Sequence, residues 1–170
     1  SDRTVEALTV FFVTLGSAAI GFADDWTKLT RRRSLGLSGR WKMLLLALIT
    51  FVVAVVTYDR GFKTSIYLPV VNVDIPLSWF WYGFLFLMIA GAANGVNLTD
   101  GLDGLAAGTV AISLFTFTAM SVVAWIAGGG GVSGSAADLD LAILGAALIG
   151  GLVGFLWYNA YPAQVFMGDT

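Results

Sequence analysis

Amides and carboxylates interrupt a strongly apolar chain at residues 94–105, which read NGVNLTDGLDGL. Carboxylate oxygens are ligands that Mg²⁺ prefers, and protein-bound Mg²⁺ commonly contacts one or two carboxylates together with substrate phosphates. An Asp beside hydrocarbon costs about 2.5–3.5 kcal/mol on insertion scales, so the cluster needs a cation, water or a partner. If the run is helical, Asp100 and Asp103 share one face at i, i+3 spacing. The run predicts a site for a cation and an anion. Taken alone, a solvated loop in which Asn and Asp cap helix ends is an equal alternative.

Two other polar clusters flank apolar segments. Residues 24–28 read DDWTK, and residues 159–169 read NAYPAQVFMGD. In the first, Lys28 can balance the carboxylates at i, i+3 and i, i+4, which alone favours a helix cap over a site. In the second, Pro162 and Gly168 break a helix, so that a planar base can stack and a metal can bind on an irregular segment. The alternative is a loop whose apolar side chains dip into the membrane.

The composition predicts an integral membrane protein, since 58% of the residues are hydrophobic and only 12% are charged. Five apolar segments are long enough to cross a bilayer. We expect an all-α, polytopic transmembrane bundle forming a single domain over residues 1–170, with spans near residues 5–23, 43–57, 77–93, 105–127 and 139–158. The sequence has no His and no Cys, which excludes imidazole bases, thiol nucleophiles and the usual zinc sites from it. A general base here must be a carboxylate.

Basic residues orient the bundle. Residues 24–42 carry six of the nine Lys and Arg side chains, so the positive-inside rule makes this connection cytoplasmic. Counting crossings then places residues 94–104 and 159–170 on the same cytoplasmic side, and residues 58–76 and 128–138 outside. Residues 65–75 are rich in β-branched side chains, and apolar and polar side chains partly alternate along them, which predicts a short extracytoplasmic hairpin. All three polar clusters are therefore expected at one face of the membrane.

Carboxylates gathered at one face repel each other unless cations neutralise them, which favours Mg²⁺ with basic side chains around it. Such a site suits phosphoryl transfer, which mostly requires aligned reactants and neutralised charge. Two other classes remain open. A transporter or channel would place carboxylates near the midplane on broken helices. A non-catalytic scaffold would explain the spans but not three polar clusters.

Four motifs resemble the phospho-N-acetylmuramoyl-pentapeptide translocase (MraY) family, a branch of the polyprenyl-phosphate hexosamine-1-phosphate transferases. They are residues 21–28 (GFADDWTK), 34–42 (SLGLSGRWK), 97–109 (NLTDGLDGLAAGT) and 166–170 (FMGDT). The resemblance implies a ten-helix enzyme, usually a homodimer of the bacterial plasma membrane, of which these spans are the third to seventh. It implies Mg²⁺-dependent transfer of phospho-MurNAc-pentapeptide from UDP-MurNAc-pentapeptide to undecaprenyl phosphate, giving lipid I and UMP. A related polyprenyl-phosphate GlcNAc-1-phosphate transferase is the alternative.

The resemblance also implies partners and roles for individual residues. Membrane lipid is a further expected partner, and nucleic acid is not expected. The family's first cytoplasmic loop and its His-rich last loop fall outside the sequence, so the isolated chain is expected to be inactive. Two mechanisms remain open: the lipid phosphate attacks the diphosphate of the substrate directly, or Asp24 or Asp25 first forms an aspartyl-phosphate intermediate that the lipid phosphate then attacks. The resemblance implies that Asp169 binds the metal, and that Asp100 and Asp103 line the nucleotide–metal site. It implies that Asp24 accepts the proton, with Asp25 beside it. The implied substrate contacts are those of Asn97, Leu98 and Gly101 to uridine, of Phe166 stacked on uracil, and of Lys28, Lys42 and Asn159 to the nucleotide or its phosphates.

Overall fold

The computed structural model describes residues 4–31, 36–68, 70–131 and 133–168. Five helices within these ranges are long and apolar enough to cross a membrane, and a two-stranded antiparallel hairpin lies between the second and third. The predicted fold class is confirmed. The elements are α1 (Val5–Arg31), α2 (Gly39–Asp59), β1 (Ser65–Leu68), β2 (Val73–Pro76), α3 (Phe80–Thr99), α4 (Leu105–Ala127) and α5 (Ala136–Asn159).

Helix α1 extends eight residues past the predicted end of the first span at residue 23. No Gly or Pro interrupts residues 24–31, and the last turn carries Lys28 and Arg31, whose charges favour a helix C-terminus. The acidic pair Asp24 and Asp25 is therefore helical, although the sequence predicted a loop from residue 24. Similarly, α3 continues through residues 94–99, where the sequence predicted a connection.

Helix α2 begins at Gly39, four residues before the predicted start of the second span. Ser38 is the N-cap residue, with extended backbone angles (φ −63°, ψ 145°). Its carbonyl accepts the backbone N–H of Lys42 at 3.1 Å. Lys42 is thus in the first helical turn, where a cation is disfavoured by the helix dipole unless an anion lies nearby.

The hairpin pairs Ser65 with Pro76 and Leu68 with Val73. Asn72 closes the turn with a positive φ of 52°, a conformation that Asn tolerates better than most residues. Its side-chain oxygen accepts the Tyr67 hydroxyl at 2.7 Å. The predicted hairpin at residues 65–75 is confirmed to within one residue.

The chain divides into two compact units. The first unit comprises residues 1–22 and 96–170, and its main contact is between α4 and α5. There, Gly145 packs against the Thr118 side chain. In the same unit, the Asp140 carboxylate of α5 accepts both the backbone N–H and the hydroxyl of Thr4, directly before α1, at 3.0 Å. The second unit comprises residues 23–95 and contains the hairpin. Most large apolar side chains of the helices are exposed, as expected for surfaces that face lipid or other helices.

Candidate active site

A buried carboxylate in the second unit holds two ammonium groups. The Asp24 side chain is 1% exposed, and its Oδ2 lies 2.7 Å from Lys28 Nζ and 3.2 Å from Lys42 Nζ. Lys28 reaches Asp24 because residues four apart share one face of a helix, and Lys42 reaches it from the first turn of α2. An anion at this position also offsets the unfavourable placement of Lys42 at a helix N-terminus.

The other oxygen of Asp24 binds the loop before α2, here residues 36–38. Its Oδ1 accepts the backbone N–H of Leu37 at 2.6 Å. The carboxylate therefore joins three consecutive parts of the chain, namely the end of α1, the loop and the start of α2. A buried charge is tolerated when its oxygens are paired in this way.

Asp25 has a different environment from its neighbour. Its side chain is 29% exposed, and Oδ1 lies 3.1 Å from Lys28 Nζ. The ammonium groups of Lys28 and Lys42 are also partly accessible, at 31% and 27%. The cluster thus offers solvent two cations and one carboxylate, while the second carboxylate lies beneath them. Two positioned ammonium groups can bind phosphate.

The polar cluster of the first unit is organised by Asn159. This side chain is 2% exposed; its Oδ1 accepts the backbone N–H of Gly104 at 3.1 Å, and its Nδ2 donates to the Val165 carbonyl at 2.9 Å. Asp103 Oδ2 accepts the backbone N–H of Ala163 at 3.0 Å. The turn after α3 and the segment after α5, sixty residues apart in sequence, are therefore held together by a buried amide and a carboxylate.

Residues 100–104 form a turn and not a helix, so the condition under which Asp100 and Asp103 would share a helix face is not met. Helix α3 ends at Thr99, and Gly104 has a φ of 76°, a left-handed conformation that suits glycine. Asp100 and Asp103 are half-buried in this turn. Asn97, Leu98 and Gly101 are exposed beside it. Their predicted contacts to uridine stay predictions.

The segment after α5 is irregular, as the sequence predicted. The Phe166 ring is exposed, so a planar base can stack on it. Asp169, the predicted metal ligand, lies outside the described residues. Within the described ranges, no three His, Cys, Asp or Glu side chains gather into a metal-binding group. Asp100 and Asp103 still offer the oxygen donors that a hard cation takes, and Mg²⁺ usually completes its shell with water and phosphate.

The sequence did not predict the backbone groups that bind the acidic side chains. Leu37 and Ala163 act through their N–H groups, which every residue except proline carries, so the side-chain type gives no signal. Gly36 could have indicated the contact at Leu37, because a glycine in a loop often marks a place where the backbone closely approaches another group.

Residues 7–170 match the family model described as glycosyl transferase family 4. The phospho-N-acetylmuramoyl-pentapeptide-transferase of Pelobacter propionicus is 45% identical over 176 aligned residues, which cover 95% of this chain and 47% of the relative. The proteins of the same description from Syntrophus aciditrophicus and Bacillus subtilis are 46% and 38% identical and cover 95% and 100% of this chain. The chain spans about half the length of the curated relatives it matches.

Proposed function

The chain belongs to the MraY family within glycosyl transferase family 4, and from this membership we propose the reaction that the protein catalyses. It transfers phospho-MurNAc-pentapeptide from UDP-MurNAc-pentapeptide to undecaprenyl phosphate in a bacterial plasma membrane, giving lipid I and UMP. The observation that carries the proposal is the pair of partly exposed ammonium groups held by a buried Asp24. Both substrates present phosphates, which such cations bind.

The reaction needs little covalent chemistry from the protein. An oxygen of undecaprenyl phosphate forms a bond to the phosphorus of UDP-MurNAc-pentapeptide that carries the MurNAc sugar. The bond from that phosphorus to the bridging oxygen breaks, and its electron pair leaves with UMP. Catalysis then consists mainly of aligning two phosphates and neutralising the charge that develops on their oxygens. Lys28 and Lys42 supply such neutralisation, since each ammonium group is fixed by Asp24 and partly accessible.

We assign proton acceptance to Asp25 and an orienting role to Asp24, which departs from the assignment implied by the motif resemblance alone. A base must reach the proton that it removes, and Asp25 is 29% exposed whereas Asp24 is 1% exposed. The second pKa of a phosphate monoester is about 6, so most lipid phosphate is already ionised at neutral pH and a weak base suffices. Asp24 instead fixes the two lysines.

We propose that Mg²⁺ binds at Asp100, Asp103 and Asp169. The two described carboxylates suit a hard cation, and Asp103 engages a backbone N–H through Oδ2. Bound there, Mg²⁺ would neutralise charge on the diphosphate oxygens. Asn97, Leu98 and Gly101 are proposed to border the uridine, with Phe166 stacking on uracil. Asn159 is proposed to act chiefly by holding the turn at residues 100–104, because both ends of its amide bind backbone groups.

The test is release of UMP by the full-length protein in lipid nanodiscs with undecaprenyl phosphate, UDP-MurNAc-pentapeptide and Mg²⁺. We expect turnover with this substrate and none when UDP-GlcNAc replaces it. Comparable turnover of both substrates would refute the assignment to the peptidoglycan branch in favour of a GlcNAc-1-phosphate transferase. Failure to release UMP from either substrate would refute the proposed function and favour a transporter or scaffold.

An aspartyl-phosphate intermediate is the alternative chemical route, with the Asp25 carboxylate attacking the same phosphorus and releasing UMP. This route predicts that labelled UMP exchanges into UDP-MurNAc-pentapeptide when undecaprenyl phosphate is absent. We expect no exchange, because a lipid phosphate whose remaining proton passes to Asp25 can attack directly. Exchange at a rate comparable with turnover would establish the covalent route.

We also propose that the full-length protein is a homodimer, as the family resemblance implies. Light scattering on the protein in detergent, corrected for bound detergent, measures its mass. A mass of one chain at concentrations that support turnover would refute the dimer.

A further inference from the structure

We propose that Gly36 is a positioning residue of the site: its lack of a side chain lets the loop before α2 close onto Asp24, which fixes Lys28 and Lys42. The inference rests on the proposed function for what the two lysines do. It does not rest on that function for the contact itself, which lies entirely within the second unit.

The contact leaves no space for a larger residue. A Cβ at Gly36 would collide with Asp24 Oδ1 and would lie 2.6 Å from Cγ and 2.7 Å from Oδ2. The collision involves the whole carboxylate, and it occurs beside the N–H of Leu37 that donates to Oδ1 at 2.6 Å. The residue that makes the close approach is therefore the one directly before the donor.

Neither partner can move away without breaking another contact. Asp24 is short and 1% exposed, and its second oxygen holds both lysines, so rotation of the carboxylate would break those ion pairs. Movement of the loop would instead break the bond from Leu37. An added methyl group at Gly36 thus displaces the carboxylate or releases the loop, and either change alters where the two ammonium groups lie.

Gly39 provides a matched control. It lies three residues later at the start of α2, and a Cβ there would meet nothing within 4 Å. Gly36→Ala and Gly39→Ala therefore add the same methyl group to neighbouring positions, one against the carboxylate and one into open space.

The first measurement is the KM for UDP-MurNAc-pentapeptide in the full-length protein. Gly36→Ala is expected to raise the KM about 10-fold, since each tenfold loss in binding corresponds to only about 1.4 kcal/mol and two displaced ammonium groups lose their contacts to the substrate phosphates. Gly39→Ala should leave it unchanged. A loss of folded protein lowers the maximal rate but does not raise KM, so an unchanged KM in Gly36→Ala would overturn the proposal.

The second measurement is a double-mutant cycle on the apparent melting temperature with Asp24→Ala, which needs no activity. Gly36→Ala should lower the melting temperature of the protein that has Asp24 and have little effect once Asp24 is alanine. Equal losses in both backgrounds would overturn the proposal. If Gly36→Ala does not accumulate, restored accumulation of the double variant supports the contact, and no restoration overturns it. A wild-type protein that releases no UMP would refute the proposed function while leaving this cycle as the test of the contact.

Discussion

The adjacent residues Asp24 and Asp25 differ in burial and in the groups that they contact. Asp24 points into the protein and binds two ammonium groups and a backbone N–H, whereas Asp25 is partly exposed and lies next to Lys28. One residue of difference in a helix turns a side chain by about 100°, which is enough to separate a buried role from an accessible one. The motif resemblance had implied proton acceptance by Asp24, with Asp25 beside it.

The difference predicts that two isosteric variants both lose turnover but differ in stability. Asp25→Asn should lower turnover by about 100-fold or more, the usual contribution of a general base, and leave the melting temperature unchanged. Asp24→Asn should lower the melting temperature as well, because two ammonium groups lose their shared carboxylate. Since both lysines are about a third exposed, the cost in the free energy of unfolding should be about 1–3 kcal/mol, below that of a fully buried pair.

Turnover and thermal unfolding of both variants in nanodiscs measure these effects. Full turnover in Asp25→Asn would refute its role as the base. Equal losses of stability in the two variants would contradict the buried role of Asp24.

Asp169 gives the prediction for the metal. Asp169→Asn should abolish turnover, because an amide lacks the negative charge with which a carboxylate holds Mg²⁺. Removal of Mg²⁺ from the wild-type protein with a chelator should also abolish turnover, and added Mg²⁺ should restore it. Asp74→Asn, in strand β2 of the hairpin, is the control and should remain active. An active Asp169→Asn variant would remove the metal assignment.

At the scale of elements, Asn159 connects the end of α5 to two loops. Asn159→Ala removes the two part-buried hydrogen bonds to the N–H of Gly104 and the carbonyl of Val165, and each such bond contributes about 0.5–1.5 kcal/mol. We expect a lower melting temperature together with lower turnover. Asn97→Ala is the matched comparison, because Asn97 is exposed and should affect turnover alone. Unchanged stability in Asn159→Ala would contradict its structural role.

The pairing of α4 with α5 depends on Gly145. A Cβ at this position would collide with Thr118 Oγ1, so Gly145→Ala should destabilise the protein by about 1–3 kcal/mol, as overpacking does. Thr118→Ala should partly rescue it, since Thr118 Oγ1 has no hydrogen-bond partner within the described ranges and its loss costs little. Gly150→Ala, where a Cβ would meet nothing within 4 Å, is the control. Melting temperatures of the four variants measure the coupling, and an unrescued double variant would contradict it.

Apolar length predicted the number of elements well but not where the polar ends of helices stop. Residues 105–127 are α4 as predicted, because Gly104 and Gly128 flank the apolar run. By contrast, α1 continues past residue 23 because ion pairs from Lys28 stabilise a charged final turn. A hydropathy pattern ends where lipid ends, whereas a helix ends where its backbone hydrogen bonds end.

At the scale of the whole molecule, the motifs predicted the family, which the comparisons confirm, and the residues of a site that stays a prediction. They could not predict how each polar cluster is held, because the groups that bind its side chains are backbone amides: Leu37 in the second unit, and Gly104 and Ala163 in the first. Spacing along the chain also gives no signal for a contact between residues 103 and 163. The chemistry of a side chain suggests its role, whereas the backbone groups that hold the side chain in place are known only from the tertiary structure.

The orientation in the membrane remains a prediction, and this sequence contains no cysteine, so that single cysteines introduced into it can test the orientation, with the unsubstituted full-length protein as the labelling control. Single cysteines at Leu98, Phe166 and Val70 replace strongly exposed side chains. The positive-inside rule predicts that a membrane-impermeant thiol reagent outside intact cells labels Val70→Cys and does not label the other two. In inverted vesicles, Leu98→Cys and Phe166→Cys should be labelled instead. Labelling of Leu98→Cys and Phe166→Cys from opposite sides would mean that the turn after α3 and the segment after α5 face different compartments. A soluble nucleotide could not then reach both, and the proposed uridine site would be excluded.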